Sequence, residues 1–344
     1  MRIGNHRVTA AEVARRAGVS QPTVSLVLSR NPNARVAKQT RERVLKVAAE
    51  LGYRPNLLAQ GLVRRRSYAI GVVVPGFDNP AYASIVSGAE KVAAAEGYAV
   101  LLCEAHEVDA VRRHIDELRD RQIDGVIVAG IAASTLAAQT LDALNIVLIN
   151  QPSDHFVTVG ADSLRAGQLA AEHLLALGHR RIAFVGPSDS TPAFRLRERG
   201  FVQGVRTAGV LVDSALMRRA DATVAGGIAG MRALLALAHP PTAVFCANDL
   251  AALGAHKACV GSGLSLPREL SLLGCDDIEM STLVTPELST ISMPQRELGA
   301  RAMRLLLKQI TAPSKLPPSA QLLPVKLVLR GTTAALSPAQ EIFA

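Results

Sequence analysis

Two stretches of this chain carry the same punctuation. Shifted by 112 residues, Ile70 falls on Ile182, Pro75 on Pro187, Pro80 on Pro192, Ala81 on Ala193, Tyr82 on Phe194, Gly88 on Gly200 and Gly97 on Gly209, with no gap. Each stretch reads as an apolar strand, a polar loop marked by proline, and a helix ended by glycine. The repeat predicts two similarly built lobes.

Around the repeat, strand and helix patterns alternate. Strands are expected at 69–75, 100–103, 125–129, 146–149, 182–186, 243–247 and 271–274, and helices at 80–96, 109–122, 163–177 and 194–208. Such alternation implies parallel sheets covered on both faces. In open sheets of this kind ligands bind beyond the carboxyl ends of the strands, where the Pro-marked loops would lie. Two lobes facing each other across that edge make a cleft. An apolar content of 49% can fill sizeable cores, and with aromatics at 3% and no Trp those cores are aliphatic. Cys103, Cys246, Cys259 and Cys275 form no CxxC pair. They are expected to be reduced thiols rather than metal ligands.

The first sixty-six residues differ in kind. They hold fourteen Lys and Arg against Glu12, Glu42 and Glu50, a net +11, whereas the other 278 residues sum to −2. A basic module on a near-neutral body points to a polyanionic partner. Thr9-Ala10-Ala11-Glu12 has the form of a capping box, and Gly18 of a helix C-cap. Ser20 offers a second N-cap, with Pro22 tolerated in the first turn of a helix over 21–28. Two helices joined through a short glycine-bearing turn form a helix-turn-helix. A third helix is expected over 38–51, striped by Val44, Val47, Ala48 and Leu51, with Ala37 before it giving no side-chain cap. Asn56 starts a further short helix that Gly61 weakens, so residues 56–63 should fold only when held.

The run AGVSQPTVSLVLS, followed by TRERVLKVAAELGYRPNLLAQGL, resembles the DNA-binding head and hinge of the lactose/galactose-repressor (LacI/GalR) family. The alternating body, to about residue 335, is similar to that family's core. The fold class implied is an all-α helix-turn-helix head plus an α/β two-lobed, periplasmic-binding-protein-like core with parallel sheets. The expected division is a head at 1–55, a hinge helix and basic linker at 56–66, a two-lobed body at 67–336 and a short tail at 337–344. Lobe 1 would take 67–160 and 293–323, and lobe 2 would take 161–292 and 324–336, with crossings near Gly160, Ser292 and Pro324.

The resemblance implies DNA contacts from Thr9, Ser20, Gln21, Pro22, Thr23, Ser25, Leu26, Arg30, Tyr53, Asn56, Gln60 and Leu62. Leu62 would be the hinge wedge entering the minor groove beside its dimer mate. Position 26 often carries Arg or His in this family. Leu26 makes only apolar contact, as with a thymine methyl, so the usual operator sequence does not carry over.

For the cleft, the resemblance implies Asp78, Asn79, Tyr82, Asn150, Thr191, Ala193, Arg197, Ala222, Asn248, Asp276, Met293 and Gln295. Arg197 could fork to a carboxylate or to vicinal hydroxyls, and Asp276 could accept sugar hydroxyls or a ligand amine. Plainer roles stand beside these. Arg197 could be one charge on a solvated helix face, Tyr82 a core aromatic, and Asn248-Asp249 or Asp276-Asp277 simple helix caps. Purine sensors of the family use aromatic sandwiches; here Ala81 stands beside Tyr82 and Ala222 stands where an aromatic sometimes appears, which favours a sugar, sugar acid or sugar phosphate as effector.

No GxxxxGK[ST] loop, GxSxG elbow, HExxH helix or zinc-spaced Cys/His cluster is present, so neither an enzyme nor a metal or cofactor protein is expected. His114, His173, His179 and His256 are expected at the surface. A transport binding protein would need an export signal and no basic head, and no 18-residue apolar run could span a membrane. The reading is a cytoplasmic, homodimeric regulator, acting as a repressor on a pseudo-palindromic double-stranded operator and controlled by a sugar-type effector. Control by a protein partner, or by no ligand, is the alternative.

Overall fold

The computed structural model describes residues 8–28, 36–53, 66–130, 144–187, 191–312 and 317–336. The chain forms two compact units, Met1–Ser67 and Tyr68–Ala344.

In the first unit, α1 (Ala10–Ala17) opens on the full capping box, with Thr9 and Glu12 each bonding the other's backbone N–H, and closes on Gly18 at φ 64°. The Ser20 hydroxyl takes the Thr23 N–H at 3.4 Å and lies 2.8 Å from its hydroxyl, starting α2 (Gln21–Leu28). Helix α3 (Lys38–Glu50) begins at Ala37 with no side-chain cap. Val13, Ala14, Ala17, Val24, Val27, Val44, Val47 and Ala48 form the core beneath the three helices.

The second unit holds two six-stranded sheets. The first runs β11 (Ala320–Leu323), β5 (Val157–Ala161), β4 (Asn145–Ile149), β3 (Gly125–Ala129), β1 (Ala69–Val74), β2 (Ala99–Glu104), all parallel. The second runs β12 (Lys326–Val328), β10 (Ser289–Ser292), β9 (Ser271–Asp276), β8 (Ala243–Cys246), β6 (Ile182–Gly186), β7 (Met217–Arg219). It is parallel except for β12 against β10. Strand residues alternate between two buried layers, as a sheet covered on both faces requires. Val72 and Val74 face the core that continues into the second sheet, and Val73 faces α5 (Val108–Asp120) through Val111 and Ile115.

The repeat acquires a physical meaning here. Helices α4 (Pro80–Ala95) and α7 (Pro192–Thr207) both carry Pro in the first turn. Gly88 lets α4 press against α10 (Gln295–Thr311), since a Cβ there would sit 1.9 Å from the Arg296 carbonyl oxygen. Gly200 does the same for α7 against α6 (Ser163–Ala176), its Cβ falling 2.0 Å from the Leu164 oxygen. The aligned prolines and glycines thus encode two helix starts and two close helix crossings. Two further helices, α8 (Val224–Leu235) and α9 (Asp249–Gly261), pack on each other beside the second sheet. The chain passes from sheet to sheet between β5 and α6, between β10 and α10, and between β11 and β12.

Two histidines depart from the sequence expectation. His179 is fully buried, with Nδ1 3.0 Å from the Thr242 hydroxyl and Nε2 3.0 Å from that of Ser271 and 3.1 Å from the Ala334 carbonyl. Three polar partners make that burial tolerable, and burial pulls its pKa down. His256 is buried on α9. The cysteines are free thiols; Cys246, Cys259 and Cys275 are buried and Cys103 half-buried. Burial pushes Cys259 up to about 12, so it is unreactive. Among the described residues, no helix is long and apolar enough to cross a membrane, and no His/Cys/Asp/Glu group could hold a metal.

Candidate functional site

Several strand ends of the second unit, and the helices that follow them, bring polar residues together. At the end of β9, Asp276 sits at φ 128° and the next residue, Asp277, at φ 61°, both in the region that side chains rarely adopt. After β8, Asn248 caps α9. On α7, helical periodicity sends Arg195 and Arg199 to solvent and Arg197 inward, where it is 3% exposed. Its guanidinium donates to the Ala247 carbonyl, lies 5.3 Å from the Phe194 ring centroid and reaches within 3.8 Å of Asp276 Oδ1. The solvated-face reading of Arg197 therefore does not hold.

Asp276 is the meeting point. Asn79, which caps α4 by accepting the Ala81 N–H at 3.0 Å, also donates to the Asp276 carboxylate. Gln295, at the start of α10, places Nε2 3.5 Å from the same group. Burial pushes the Asp276 carboxyl up to about 7, with Arg197 drawing it down and Asp249 raising it further. Tyr82 lies against the end of β3, where a Cβ on Gly130 would fall 2.6 Å from its hydroxyl. Loss of water around the Tyr82 ring, together with the Asp276 charge, holds its phenol above the ordinary value. Met293 is buried between β10 and α10. Ala81, Leu250 and Ile278 make a small apolar contact at the rim. A cavity of about 470 Å³ opens beside it, lined by Ser84, Asp276, Asp277, Met293 and Gln295 among others.

Other expected site residues are spent differently. Asn150, at φ 59°, uses its side-chain oxygen to take the Ala161 N–H at 2.9 Å, tying the end of β4 to β5. Asn248 is fully buried: its oxygen caps α9 through the Ala251 N–H, and its amide holds the Ala222 carbonyl at 2.9 Å. Asp78 is exposed, while Thr191, Ala193 and Ala222 are half-buried near the α7 and α8 starts. Sequence reasoning missed Asp249 and Arg330, which hold the turn after β9 from behind. Asp249 stood in view beside Asn248 but looked like a cap.

In the first unit, Ser20, Gln21, Pro22, Ser25 and Leu26 share the exposed side of α2, and Thr23 is half-buried. Thr9 is exposed at the start of α1, whereas the Tyr53 ring packs on the core of the three helices. Arg30, Asn56, Gln60 and Leu62 lie outside the described residues.

Residues 9–56 match the family described as bacterial regulatory proteins, lacI family, and residues 171–333 match the periplasmic binding protein-like domain. The transcriptional repressor CytR of Escherichia coli (strain K12) is 36% identical over 335 residues, covering 95% of this chain and 97% of CytR. This chain belongs to the LacI family. Among solved structures, the Lac repressor dimer bound to operator and the anti-inducer ONPF superposes with a TM-score of 0.83 at 32% identity, over 95% of this chain and 99% of that one. A LacI-family regulator from Enterococcus faecium with bound ribose gives 0.72 at 31% identity, over 78% of this chain and all of that one. As a LacI-family protein, the chain is a sequence-specific DNA-binding transcription regulator, with a helix-turn-helix head and a two-sheet α/β body.

Proposed function

We propose that this LacI-family regulator is a repressor whose operator affinity is set by a sugar or sugar derivative bound at the Arg197–Asp276 pair. The observation that carries the reading is that pair: a guanidinium and a carboxyl group, almost fully buried, beside the carboxyl ends of the strands. A buried ion pair is costly to build from solvent, so its retention calls for a purpose other than stability. A guanidinium and a carboxylate with Asn79, Gln295 and Tyr82 around them match vicinal hydroxyls, which both donate and accept. The ribose bound by the Enterococcus faecium relative supports that class of ligand. Asn150, Ala222 and Asn248 would serve by shaping the cleft wall, and Asp78, Thr191, Ala193 and Met293 by lining it.

The same proposal has Gln21, Pro22, Thr23, Ser25 and Leu26 reading the major groove. Leu62 acts at the central base step, and Thr9, Ser20, Arg30, Tyr53, Asn56 and Gln60 contact or orient the backbone. Two copies bind a pseudo-palindrome as a homodimer, with residues 336–344 adding no tetramer contact. Exposed Leu101 and Leu102 on β2, Val260 on α9 and Leu283 support burial against a second copy. The protein performs no catalysis and works in the cytoplasm, where its operator is. Calorimetry of the full chain against ribose, other pentoses, hexoses, sugar acids and sugar phosphates, with operator titrations alongside, tests the effector. Loss of a bound sugar's effect in Arg197→Ala supports the site; a panel in which nothing binds shifts control to a protein partner or to none.

A further inference from the structure

We infer that Asp249 and Arg330 are positioning residues: together they hold the turn after β9 in the backbone shape that aims Asp276 into the cleft. The inference rests on the reading that Asp276 meets the effector. Asp249 is wholly buried in the first turn of α9, so it touches no effector itself. Its Oδ1 accepts the Thr290 hydroxyl at 2.6 Å, and its Oδ2 accepts the Ser281 hydroxyl at 2.7 Å and the Ile278 N–H at 3.0 Å. The Asp277 N–H donates to the same carboxylate. Four donors from the turn, from the short helical segment after it and from β10 converge on one group. A carboxyl group can meet all four, whereas an amide would turn its NH2 toward donors. Helix capping does not explain Asp249, since Asn248 is already the cap of α9.

The turn that these bonds hold is unfavourable by itself. Asp276 and Asp277 are successive non-glycine residues at φ 128° and 61°, a conformation that persists only where its surroundings over-determine it. Arg330 grips the other side. It sets Nη2 2.5 Å from the Asp277 carboxylate and Nη1 2.8 Å from the Leu288 carbonyl, while its backbone N–H donates to the Ser289 hydroxyl at 3.0 Å. The strand before the turn makes room for the clamp: a Cβ at Gly274 would fall 2.2 Å from Asp249 Oδ1. One clamp fixes the backbone N–H groups of the turn and the other fixes the Asp277 side chain, leaving Asp276 facing Arg197, Asn79 and Gln295.

The test uses the full-length protein and two readouts. Hydrogen–deuterium exchange over residues 275–281 needs no effector, and D-ribose and operator titrations report function. Asp249→Asn should speed exchange of the Asp277 and Ile278 amides by about tenfold or more and weaken ribose binding by a similar factor. Exchange in β8 and β9, and operator affinity without ribose, should stay at wild-type values. Arg330→Lys should do the same to a lesser degree. Thr290→Val, which loses the hydroxyl, should loosen the turn, and Thr290→Ser, which keeps it, should not. Unchanged exchange at the turn in Asp249→Asn, or an equal rise throughout the unit, overturns the inference. If Asp249→Asn fails to fold, the Thr290 pair decides, and identical behaviour of Val and Ser overturns it. Asp276→Ala separates the two ideas. Should it bind ribose as wild type does, the effector reading fails and exchange alone judges the clamp. Should it lose binding while a loosened Asp249→Asn keeps it, positioning is wrong and the effector reading stands.

Discussion

On α2, Gln21, Ser25 and Leu26 are exposed, Leu26 by 44%; on the body, Arg197 is 3% and Asp276 7% exposed. These head side chains are exposed on one helix face, whereas the cleft charges are buried and face one another. Removing a head side chain deletes one contact to the duplex. Removing a cleft charge also strands its partner in a low-dielectric interior, which is the larger loss. On the proposed reading, an effector at Asp276 would replace bonds that it already has with Asn79 and Gln295, and this exchange would alter the relation between the two sheets.

Arg197→Ala is expected to cost roughly 1.5–3 kcal/mol of effector binding, enough to abolish the response at ordinary concentrations, with operator affinity nearly intact. Paired sugar and operator titrations check it, and an unchanged sugar titration would show that buried charge alone does not mark the site. Next in size is Leu62→Ala, which should weaken operator binding far more than binding to random duplex, because phosphate contacts remain. Equal loss on both duplexes at one salt concentration would make Leu62 a packing residue.

Proton linkage sharpens the contrast further. The folded Asp276 carboxyl sits at about 7, above the unfolded value of roughly 3.9. The native state therefore retains a proton that the unfolded chain has released. This contribution to stability is fully present below about pH 4 and is lost as pH rises through about 7. Urea midpoints at pH 5 and pH 8 should show wild type losing stability relative to Asp276→Asn over that interval; parallel behaviour would mean that Asp276 is not held as described. The smallest effect belongs to the head. Thr9→Ala removes half of the capping box of α1 and should lower the stability of that unit by about 1 kcal/mol, read as faster amide exchange across α1, with effector binding untouched.

Much of this architecture was written in local patterns. The head's caps at Thr9, Gly18 and Ser20, and the missing cap at Ala37, act within one turn of chain, and each appears in the structure as read. The continuous apolar runs of β1, β3 and β4 announce strands buried on both faces, because no polar face has to be kept for water. The Pro and Gly alignment at an offset of 112 residues marked the two helix starts and close crossings. The shortest strands were not legible. β7, β11 and β12 have three or four residues and no fully buried position, so their identity comes from the neighbours they pair with. Burial of charge was equally out of reach. Nothing local distinguishes Asp249 from a helix cap, or His179 from a surface imidazole. Four donors converge on the first from parts of the chain about thirty to forty residues away, and the second is met by Thr242, Ser271 and Ala334. A sequence determines which groups its own turns can satisfy; which polar groups may be buried depends on partners that only the tertiary fold brings within hydrogen-bond reach.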